Sequence, residues 1–345
     1  MTGEGLNSLF PPSDISLMGW LPILRQLPTV LARLRETVDA VLAADPDVLV
    51  IIDSPSFTHR VAKRVRRARP NMAVVNYVSP AVWAWKPWRA AAMRNYIDHV
   101  LALLPFEPAA YQRLRGPPCT YVGHPLIENL PALRPDADER TRRDARPPVV
   151  LVLPGSRRGE IRRLIDPFGE ALKAVRAREG EMELILPTLP HLEAEVRAAT
   201  AAWGTPPRIV TDRSAKQQAF RNARAALAAS GTVTLELALA GIPTVAAYKV
   251  APLEAALLRR LVTVPSAILS NLVLGENVVP EFLQEDCTPE HLATALEAVL
   301  LEGTARQNQL EAFAKLDALM QVDGSPSDTA AGIVLDVVAN CSPMR

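Results

Sequence analysis

Short apolar segments rich in β-branched residues alternate with longer amphipathic segments along most of this chain. Continuous apolar strands separated by helical segments are typical of parallel sheets whose two faces are covered. From residue 288 onward the pattern is helical only. The alternation therefore predicts an α/β protein with parallel sheets and C-terminal helices. The predicted strands are residues 47–53, 72–78, 99–105, 120–123, 149–155, 182–187, 208–211, 225–230 and 244–249.

Residues 131–148 interrupt this alternation, since they are charged, flanked by proline and almost without large apolar side chains. This composition predicts a linker between two domains. A length of 345 residues also suits about two domains. We therefore expect Rossmann-like domains at 1–140 and 141–320, followed by a C-terminal helix at 321–345. That helix is expected to pack back on the first domain or on a partner subunit.

The composition excludes several classes of protein. Apolar residues make up 49% of the chain and the net charge is +1, which predicts a real core without the basic excess of a nucleic-acid binder. Three widely spaced cysteines argue against a disulfide framework or a zinc site and fit a reducing cytosol. No apolar run reaches the roughly 18–20 residues that cross a bilayer, and the N-terminus does not resemble a signal peptide. We expect a cytoplasmic protein.

Polar residues follow the predicted strands at their carboxyl ends, where ligands bind in open parallel sheets. Gly155, Ser156 and Arg157 form the most informative of these turns, because a helix starts directly after them. A helix N-terminus has free N–H groups and a partial positive charge that suit phosphate. In the alternative interpretation, Arg157 and Arg158 are solvated or pair with Glu160. The strand-end residues are Asp53, Ser79, 155–160, 230–232 and 248–249.

The turn Ser230-Gly231-Thr232 repeats the arrangement, with a helix after it. Glu236 lies about one turn inside that helix, where a carboxylate can accept hydrogen bonds from a ribose diol. A threonine that only caps the helix is the alternative for Thr232. Together the strand-end residues predict a cleft between two facing domains.

Five motifs together resemble one family: PGSR-x-x-E (154–160), SGT-x-x-LE (230–236), SNLVLGENVVPEFLQ (270–284), YVSPAVWAW (77–85) and LPFE-x-x-x-Y (104–111). From about Leu17 to about Val338 the chain is similar to lipid-A-disaccharide synthase, an inverting glycosyltransferase of the GT-B fold. The resemblance implies two Rossmann-like domains with a cleft between them. It also implies that UDP-2,3-diacylglucosamine and 2,3-diacylglucosamine 1-phosphate (lipid X) give lipid A disaccharide 1-phosphate and UDP, with no metal and no cofactor.

The resemblance also assigns roles to residues. Arg157 is expected to neutralise the UDP diphosphate and Glu236 to hold the ribose, with the turns at 155–157 and 230–232 beside the nucleotide sugar. Asp53 is expected to be the base that deprotonates the acceptor's 6-hydroxyl. In the alternative, Asp53 only caps the helix that begins near Ser56. Further residues expected in the nucleotide-sugar site are Lys249, Asn271 and Gln284.

Aromatic and apolar residues indicate which parts of the protein contact the acyl chains of the substrates. Ser79, Trp83 and Trp85 are expected to cover sugar and acyl surface, whereas packing between domains is the alternative for any one tryptophan. Residues 17–35 place apolar and aromatic side chains beside arginines, which favours an interfacial segment. A core helix under the sheet is the alternative for this segment. The expected membrane contacts are Trp20, Leu21 and Leu24.

These assignments predict a peripheral protein on the cytoplasmic face of the inner membrane, with UDP-diacylglucosamine and lipid X as substrates and no nucleic-acid partner. Whether it forms a homodimer stays open. Two rival functions are a UDP-sugar epimerase of the same fold and an inactive, membrane-associated remnant that binds UDP.

The N-terminus carries a further expectation. Members of the family carry a Gly-Glu-x-Ser-Gly-Asp turn near the start of their first domain. Residues 1–6 of this chain resemble a segment that follows that turn. We therefore expect roughly one βαβ unit, at least about 30 residues, to be missing. We also expect the true start to lie upstream, and the 345-residue form to be poorly soluble or inactive.

Overall fold

The computed structural model describes residues 5, 7–11, 14–15, 26–261 and 264–341. It divides the chain into two compact units. The first unit combines Met1–Gly123 with Gly324–Arg345, and the second unit is His124–Asp323. Among the described residues, no helix is both long and apolar enough to span a bilayer.

The first unit contains a parallel sheet in the order β1-β2-β3-β4. Val50 lies opposite Val75 in the register, and Val75 lies opposite His99. The strands are β1 Val48–Ile52, β2 Ala73–Tyr77, β3 His99–Ala102 and β4 Cys119–Tyr121. The helices are α1 Leu27–Ala44, α2 Pro55–Ala68, α3 Trp88–Met93, α4 Glu107–Arg113 and α15 Pro326–Cys341.

Helices cover both faces of this sheet. Leu34 and Val38 of α1 pack with Phe57 and Val61 of α2, which buries apolar area on one side. The C-terminal helix α15 contacts β1 and β2. Its apolar residues lie against Val75, and they are Ala330, Ile333, Val334 and Val337.

The second unit contains a six-stranded parallel sheet in the order β10-β9-β8-β5-β6-β7. The strands are β5 Val149–Leu153, β6 Glu183–Pro187, β7 Arg208–Val210, β8 Ala225–Ala229, β9 Thr244–Tyr248 and β10 Glu281–Leu283. The helices are α5 Leu130–Leu133, α6 Ala137–Asp144, α7 Arg158–Glu179, α8 Glu193–Thr200, α9 Arg213–Asn222, α10 Thr232–Leu239, α11 Pro252–Leu261, α12 Leu269–Leu274, α13 Pro289–Leu300 and α14 Thr304–Met320. Short 3-10 helices span Pro125–Asn129, Pro190–Leu192 and Gln284–Asp286.

The strand order of the second unit reverses between β5 and β8, because β6 and β7 follow β5 on one side while β8 to β10 lie on the other. Both strands at this point are buried along their whole length. A reversal of this kind leaves a crevice beyond the carboxyl ends of the two strands. The topology therefore puts the turns after β5 and β8 at a natural ligand position.

All nine predicted strands are confirmed, with ends that shift by up to three residues. The sequence pattern missed β10, since it has only three residues and lies at the sheet edge, between Pro280 and Gln284. The division into domains at 140 and 320 stays a prediction.

The predicted linker, 131–148, has ordered structure within the second unit. A capping box of Asp136 and Glu139 starts α6. Arg143 donates hydrogen bonds of 3.0–3.1 Å to backbone carbonyls of Phe220 and Gly241, among others. Because arginines rather than large apolar residues attach α6, the hydrophobic pattern gave no sign of it.

Candidate functional site

The turn after β5 is built around a glycine that no other residue can replace without strain. Gly155 has φ +115°, and a Cβ there would meet Oε2 of Glu160 at 2.5 Å and Cβ of Glu160 at 2.7 Å. Glu160 accepts a hydrogen bond of 3.2 Å from the Ser156 N–H. The turn therefore folds tightly onto the first turn of α7.

Both arginines of this turn have carboxylate partners. Arg157 Nη1 lies 2.7 Å from Oε1 of Glu160, and Arg158 Nε lies 3.3 Å from Oε2 of Glu195. The pairing with Glu160 is the arrangement that the alternative interpretation named. The side chain of Arg157 is nevertheless 57% exposed, so its guanidinium can still meet an anion. Tyr248 at the end of β9 lies near both Glu160 and Arg157. Burial mainly raises the pKa of the Tyr248 hydroxyl, the Glu160 carboxylate raises it further, and the Arg157 guanidinium lowers it.

The second turn follows β8 and brings Ser230, Gly231 and Thr232 to the same sheet edge. The Ser230 N–H donates to the Ala247 carbonyl at 2.9 Å, and its hydroxyl donates to Glu281 of β10 at 3.1 Å. Gly231 is the N-cap of α10, so Thr232 does not cap the helix. A Cβ at Gly231 would meet no atom within 4 Å, which leaves open space over this turn.

Glu236 lies on α10 with both carboxylate oxygens bonded to Lys216 Nζ, at 2.8 and 3.0 Å. Lys216 in turn lies 5.0 Å from the ring centroid of Phe220. The carboxylate is thus fixed in orientation by an ammonium group. Sequence reasoning missed Lys216, because a lysine in the polar run KQQ of α9 carries no special pattern.

The three remaining nucleotide-site candidates occupy different environments. Asn271 is 2% exposed, and its amide bonds to both N–H and C=O of Val279, at 2.9 and 3.0 Å. The amide of Gln284, oriented to satisfy the Val250 peptide, accepts from its N–H at 3.0 Å and donates to its C=O at 3.3 Å. Lys249 follows β9 and is half-buried. Burial raises the pKa of the Cys287 thiol, and the nearby charge of Lys249 partly offsets this rise. Asn271 and Gln284 therefore shape backbone, whereas Lys249 offers a charge.

In the first unit, Asp53 and Ser54 follow β1 with φ of +49° and +44°. Two successive left-handed residues other than glycine are unusual and strained. Asp53 is exposed, and no hydrogen bond or ion pair of its carboxylate is found among the described residues. The N-cap of α2 is Ser54, without a side-chain hydrogen bond, so Asp53 does not cap this helix. A strained turn at the end of β1 therefore carries a carboxylate that has no partner in the described part of the chain.

Glu107 fixes the aromatic segment that follows β2. It is 3% exposed and accepts hydrogen bonds from Trp83 Nε1 at 3.0 Å and from the N–H groups of Leu103 and Leu104 at 3.1 and 2.9 Å. The Ser79 hydroxyl donates to the Pro80 carbonyl at 3.3 Å. Burial mainly raises the pKa of the Glu107 carboxyl, whereas the hydrogen bonds from Trp83, Leu104 and Leu103 lower it. Trp83 is thus held from inside the first unit, with its ring against Phe106. Sequence reasoning missed the role of Glu107, which lies within the LPFE-x-x-x-Y motif. The sign of its burial in the sequence is a glutamate enclosed by the apolar segments LPF and PAAY.

The other tryptophans of this segment face outward. Trp85 is 37% exposed with Lys86 Nζ 4.3 Å from its ring centroid, and Trp88 is 65% exposed. The predicted membrane contacts Trp20, Leu21 and Leu24 lie outside the described residues.

A buried hydrogen-bond chain supports the turn after β2. His59 contacts the Tyr96 hydroxyl at 3.1 Å and Asn76 Oδ1 at 3.2 Å, and Asn76 donates to the Val78 carbonyl at 3.1 Å. Val78 has φ +68°, a strained value for a β-branched residue. Burial, with Arg89 nearby, lowers the pKa of His59 to about 4. His124 caps a 3-10 helix through Leu126 N–H, which gives it a structural role.

The chain contains two Asp-x-Asp triplets, Asp45-Pro46-Asp47 and Asp136-Ala137-Asp138, and neither lies at a strand's carboxyl end. Asp45 pairs with Arg69, and Asp136 caps α6. Within the described ranges, no three His, Cys, Asp or Glu side chains are grouped to hold a metal ion.

Comparison with known proteins gives a consistent result. A family model for lipid-A-disaccharide synthetase matches residues 1–331. A lipid-A-disaccharide synthase from Nitrobacter hamburgensis is 60% identical over 98% of this chain and 86% of its own length. One from Rhodopseudomonas palustris is 57% identical with the same two coverages, and one from Rhodospirillum centenum is 44% identical over 98% of this chain and 85% of its own length.

Solved structures with a similar fold all have low sequence identity. A Neisseria meningitidis UDP-GlcNAc 2-epimerase bound to UDP-GlcNAc has a TM-score of 0.53 at 12% identity, covering 94% of this chain and 84% of that one. A UDP-forming trehalose-phosphate synthase from Burkholderia xenovorans has 0.56 at 11%, with 93% and 80% covered. MurG from Acinetobacter baumannii has 0.53 at 16%, with 91% and 79% covered. These similarities confirm the predicted GT-B fold class.

Proposed function

Since this chain belongs to the lipid-A-disaccharide synthase family, we propose that it transfers the sugar of UDP-2,3-diacylglucosamine to 2,3-diacylglucosamine 1-phosphate and releases UDP. The product is lipid A disaccharide 1-phosphate. The observation that carries the proposal is the pair of turns, 155–157 and 230–232, which flank the reversal of strand order in the second unit. Such a position suits a nucleotide diphosphate.

The leaving group is stabilised by Arg157 and the N-terminus of α7. Arg157 is held by Glu160 at 2.7 Å but remains more than half exposed, so a diphosphate of higher charge can compete for it. The free N–H groups at the start of α7 add a second source of positive potential. Glu236, oriented by Lys216, accepts hydrogen bonds from the ribose hydroxyls.

Asp53 acts as the general base. The acceptor's hydroxyl oxygen forms a bond to the anomeric carbon while the bond from that carbon to the UDP oxygen breaks. The hydroxyl proton moves to Asp53, and the electron pair of the broken bond stays on UDP. The exposed carboxylate in a strained turn, which has no partner among the described residues, supports this role.

The test is to incubate the purified protein with both acylated substrates and to measure UDP and disaccharide. UDP release that requires both substrates supports the synthase. Conversion of the UDP-sugar without acceptor would indicate the epimerase, which is not favoured, because the similarity to that class is 12% against 60% for the family. UDP binding without any turnover would indicate the remnant.

Two variants with matched controls test the roles. Asp53→Asn should lower turnover about 100-fold or more with unchanged UDP affinity. Asp45→Asn, at the other end of β1, should leave turnover unchanged. Arg157→Ala should cost about 2–4 kcal/mol of transition-state stabilisation, whereas Arg158→Ala, which loses only a surface pair, should cost far less. Near-normal turnover of Asp53→Asn or Arg157→Ala would exclude the assigned role.

We also propose that the protein is peripheral on the cytoplasmic face of the inner membrane, with residues 17–24 as a contact. Replacing Trp20, Leu21 and Leu24 with serine should move the protein from the membrane fraction to the soluble fraction. Unchanged partitioning of a folded variant would exclude this segment. A homodimer stays a prediction, and light scattering of the purified protein would test it.

A further inference from the structure

Charge is distributed unevenly in the first unit. Between Ser54 and Ile97 the sequence contains nine Lys or Arg residues and no Asp or Glu. The chain as a whole has 38 basic and 37 acidic residues, so this stretch departs strongly from the average. A local excess of one sign indicates a charged partner more than it indicates a need of the fold.

Four of these cations form one line on α2. Arg60, Lys63, Arg64 and Arg67 have the spacing i, i+3, i+4 and i+7, which puts them on one face of the helix. We call this set the cationic stripe. Like charges four residues apart disfavour a helix, so the stripe does not serve the stability of α2. The buried face of α2 is formed by Phe57, His59, Val61, Ala62 and Val65.

The stripe lacks internal counter-charges. Two neighbouring arginines have them, since Arg66 pairs with Asp98 and Arg69 pairs with Asp45. For the four stripe residues, the described part of the chain supplies no carboxylate within ion-pair distance. Lys63 instead places Nζ 4.8 Å from the ring centroid of Tyr96. All four are exposed or half-buried, so their charges are available to a partner.

The stripe and the aromatic segment around α3 meet at Tyr96, which lies near both Lys63 and Arg89. Arg89 lies near enough to Tyr96 and His59 to influence the pKa of both. Its neighbour Trp88 is the most exposed tryptophan among the described residues. An indole ring is favoured at the headgroup level of a bilayer, where its apolar body and polar N–H are both satisfied.

We propose that the cationic stripe and Trp88 form a docking surface for an anionic lipid bilayer. The proposal rests on the proposed function, because acylated substrates reside in such a bilayer. Lipid phosphates supply the negative charges that this surface lacks, and Trp88 enters the headgroup region. A nucleic acid is less well matched, since the chain as a whole has no basic excess.

The test is co-sedimentation of the full chain with two kinds of vesicle, one of phosphatidylcholine and one of phosphatidylcholine mixed with phosphatidylglycerol. A variant with Arg60→Gln, Lys63→Gln, Arg64→Gln and Arg67→Gln should bind the anionic vesicles at least about tenfold more weakly. Its weaker binding to neutral vesicles should not change. Trp88→Ser should reduce binding to both kinds of vesicle.

A matched control removes four exposed cations of the second unit, Arg162, Lys173, Arg178 and Arg197, by the same substitution to glutamine. An equal loss in both variants would overturn the proposal, because only net charge would then matter. Unchanged vesicle binding of a folded stripe variant would also overturn it. Binding of both proteins to single-stranded DNA is measured as well, and a variant that loses DNA binding but keeps vesicle binding would overturn the proposal in favour of a nucleic acid. UDP release from detergent-dispersed substrates should be unchanged in the stripe variant. If the parent protein itself releases no UDP, the proposed function is contradicted, but the result with vesicles still tests the docking surface.

Discussion

The two sheets form their carboxyl-end turns by different means. In the second unit, the turns after β5 and β8 rely on Gly155 and Gly231, which let the backbone approach a ligand. In the first unit, Asp53, Ser54 and Val78 adopt left-handed conformations that cost about 1–2 kcal/mol for each residue with a side chain. The glycine turns present N–H groups, whereas the strained turns present side chains. This difference agrees with the roles proposed above, in which the second unit binds the diphosphate and the first unit supplies the base.

The supports of the turns differ as well. The first unit holds its strained turns with buried polar groups, since Asn76 bonds to Val78 and Glu107 bonds to Trp83. The second unit uses carboxylates nearer the surface, such as Glu281, which accepts from Ser230 and Ser266. A buried network should be costlier to break than an exposed one.

The largest effect is expected for Glu107→Gln compared with Glu281→Gln. Three donors to Glu107 are N–H groups that cannot become acceptors, so an amide NH₂ would face them unsatisfied. We expect a loss of about 3 kcal/mol in the first unit. Two of the three partners of Glu281 are hydroxyls that can rotate, so its loss should be about 1 kcal/mol. Denaturant unfolding of both variants measures this, and equal losses would remove the distinction.

Acid should loosen the first unit through His59. The unfolded imidazole has a pKa near 6.5 and the buried one about 4, so the unfolded state binds more protons between these values. Stability is therefore complete above about pH 6.5 and falls as the pH drops towards 4, by about 3 kcal/mol in total. His59→Gln should flatten this fall for peptides around 76–80 in hydrogen exchange. Peptides around His124, whose pKa burial also lowers to about 4, are the internal control and should keep their pH dependence. An unchanged slope around Val78 would contradict the role of His59.

The sequence predicted the strands and the positions of the polar turns, because both follow from periodicity and from small or charged residues after apolar runs. It could not predict what those side chains contact. Glu236 was recognised, but its partner Lys216 lies 20 residues away on another helix. The strain at Val78 could not be predicted either, because the sequence of an unstrained valine after β2 would be the same. Helix α6 escaped because its contacts are arginine-to-carbonyl bonds rather than apolar packing.

A third comparison separates strain from steric conflict in the glycine turns. Gly155→Ala adds a Cβ within 2.5 Å of Glu160, so the carboxylate must leave Ser156 N–H and the turn must open. We expect UDP affinity to fall about tenfold, or 1.4 kcal/mol. Gly180→Ala, at φ +90° with no atom within 4 Å, should cost a little stability and no affinity. Equal UDP affinity of both variants in calorimetry would show that the turn after β5 does not hold the nucleotide.

The smallest effect on stability is expected at Val78, a strained residue that is not itself assigned a ligand contact. Val78→Asn replaces a β-branched residue at φ +68° with one that tolerates the left-handed region. Relief of strain should stabilise the first unit by up to about 1 kcal/mol, reduced by the loss of half-buried apolar surface. If the left-handed conformation of Val78 also positions Ser79 and Trp83 toward the acceptor, turnover should fall while stability rises. This rise in stability is opposite to the loss expected for Glu107→Gln. Denaturant unfolding and turnover measured on the same preparation decide this. A variant that is both less stable and fully active would show that the left-handed turn is only a packing consequence of Asn76.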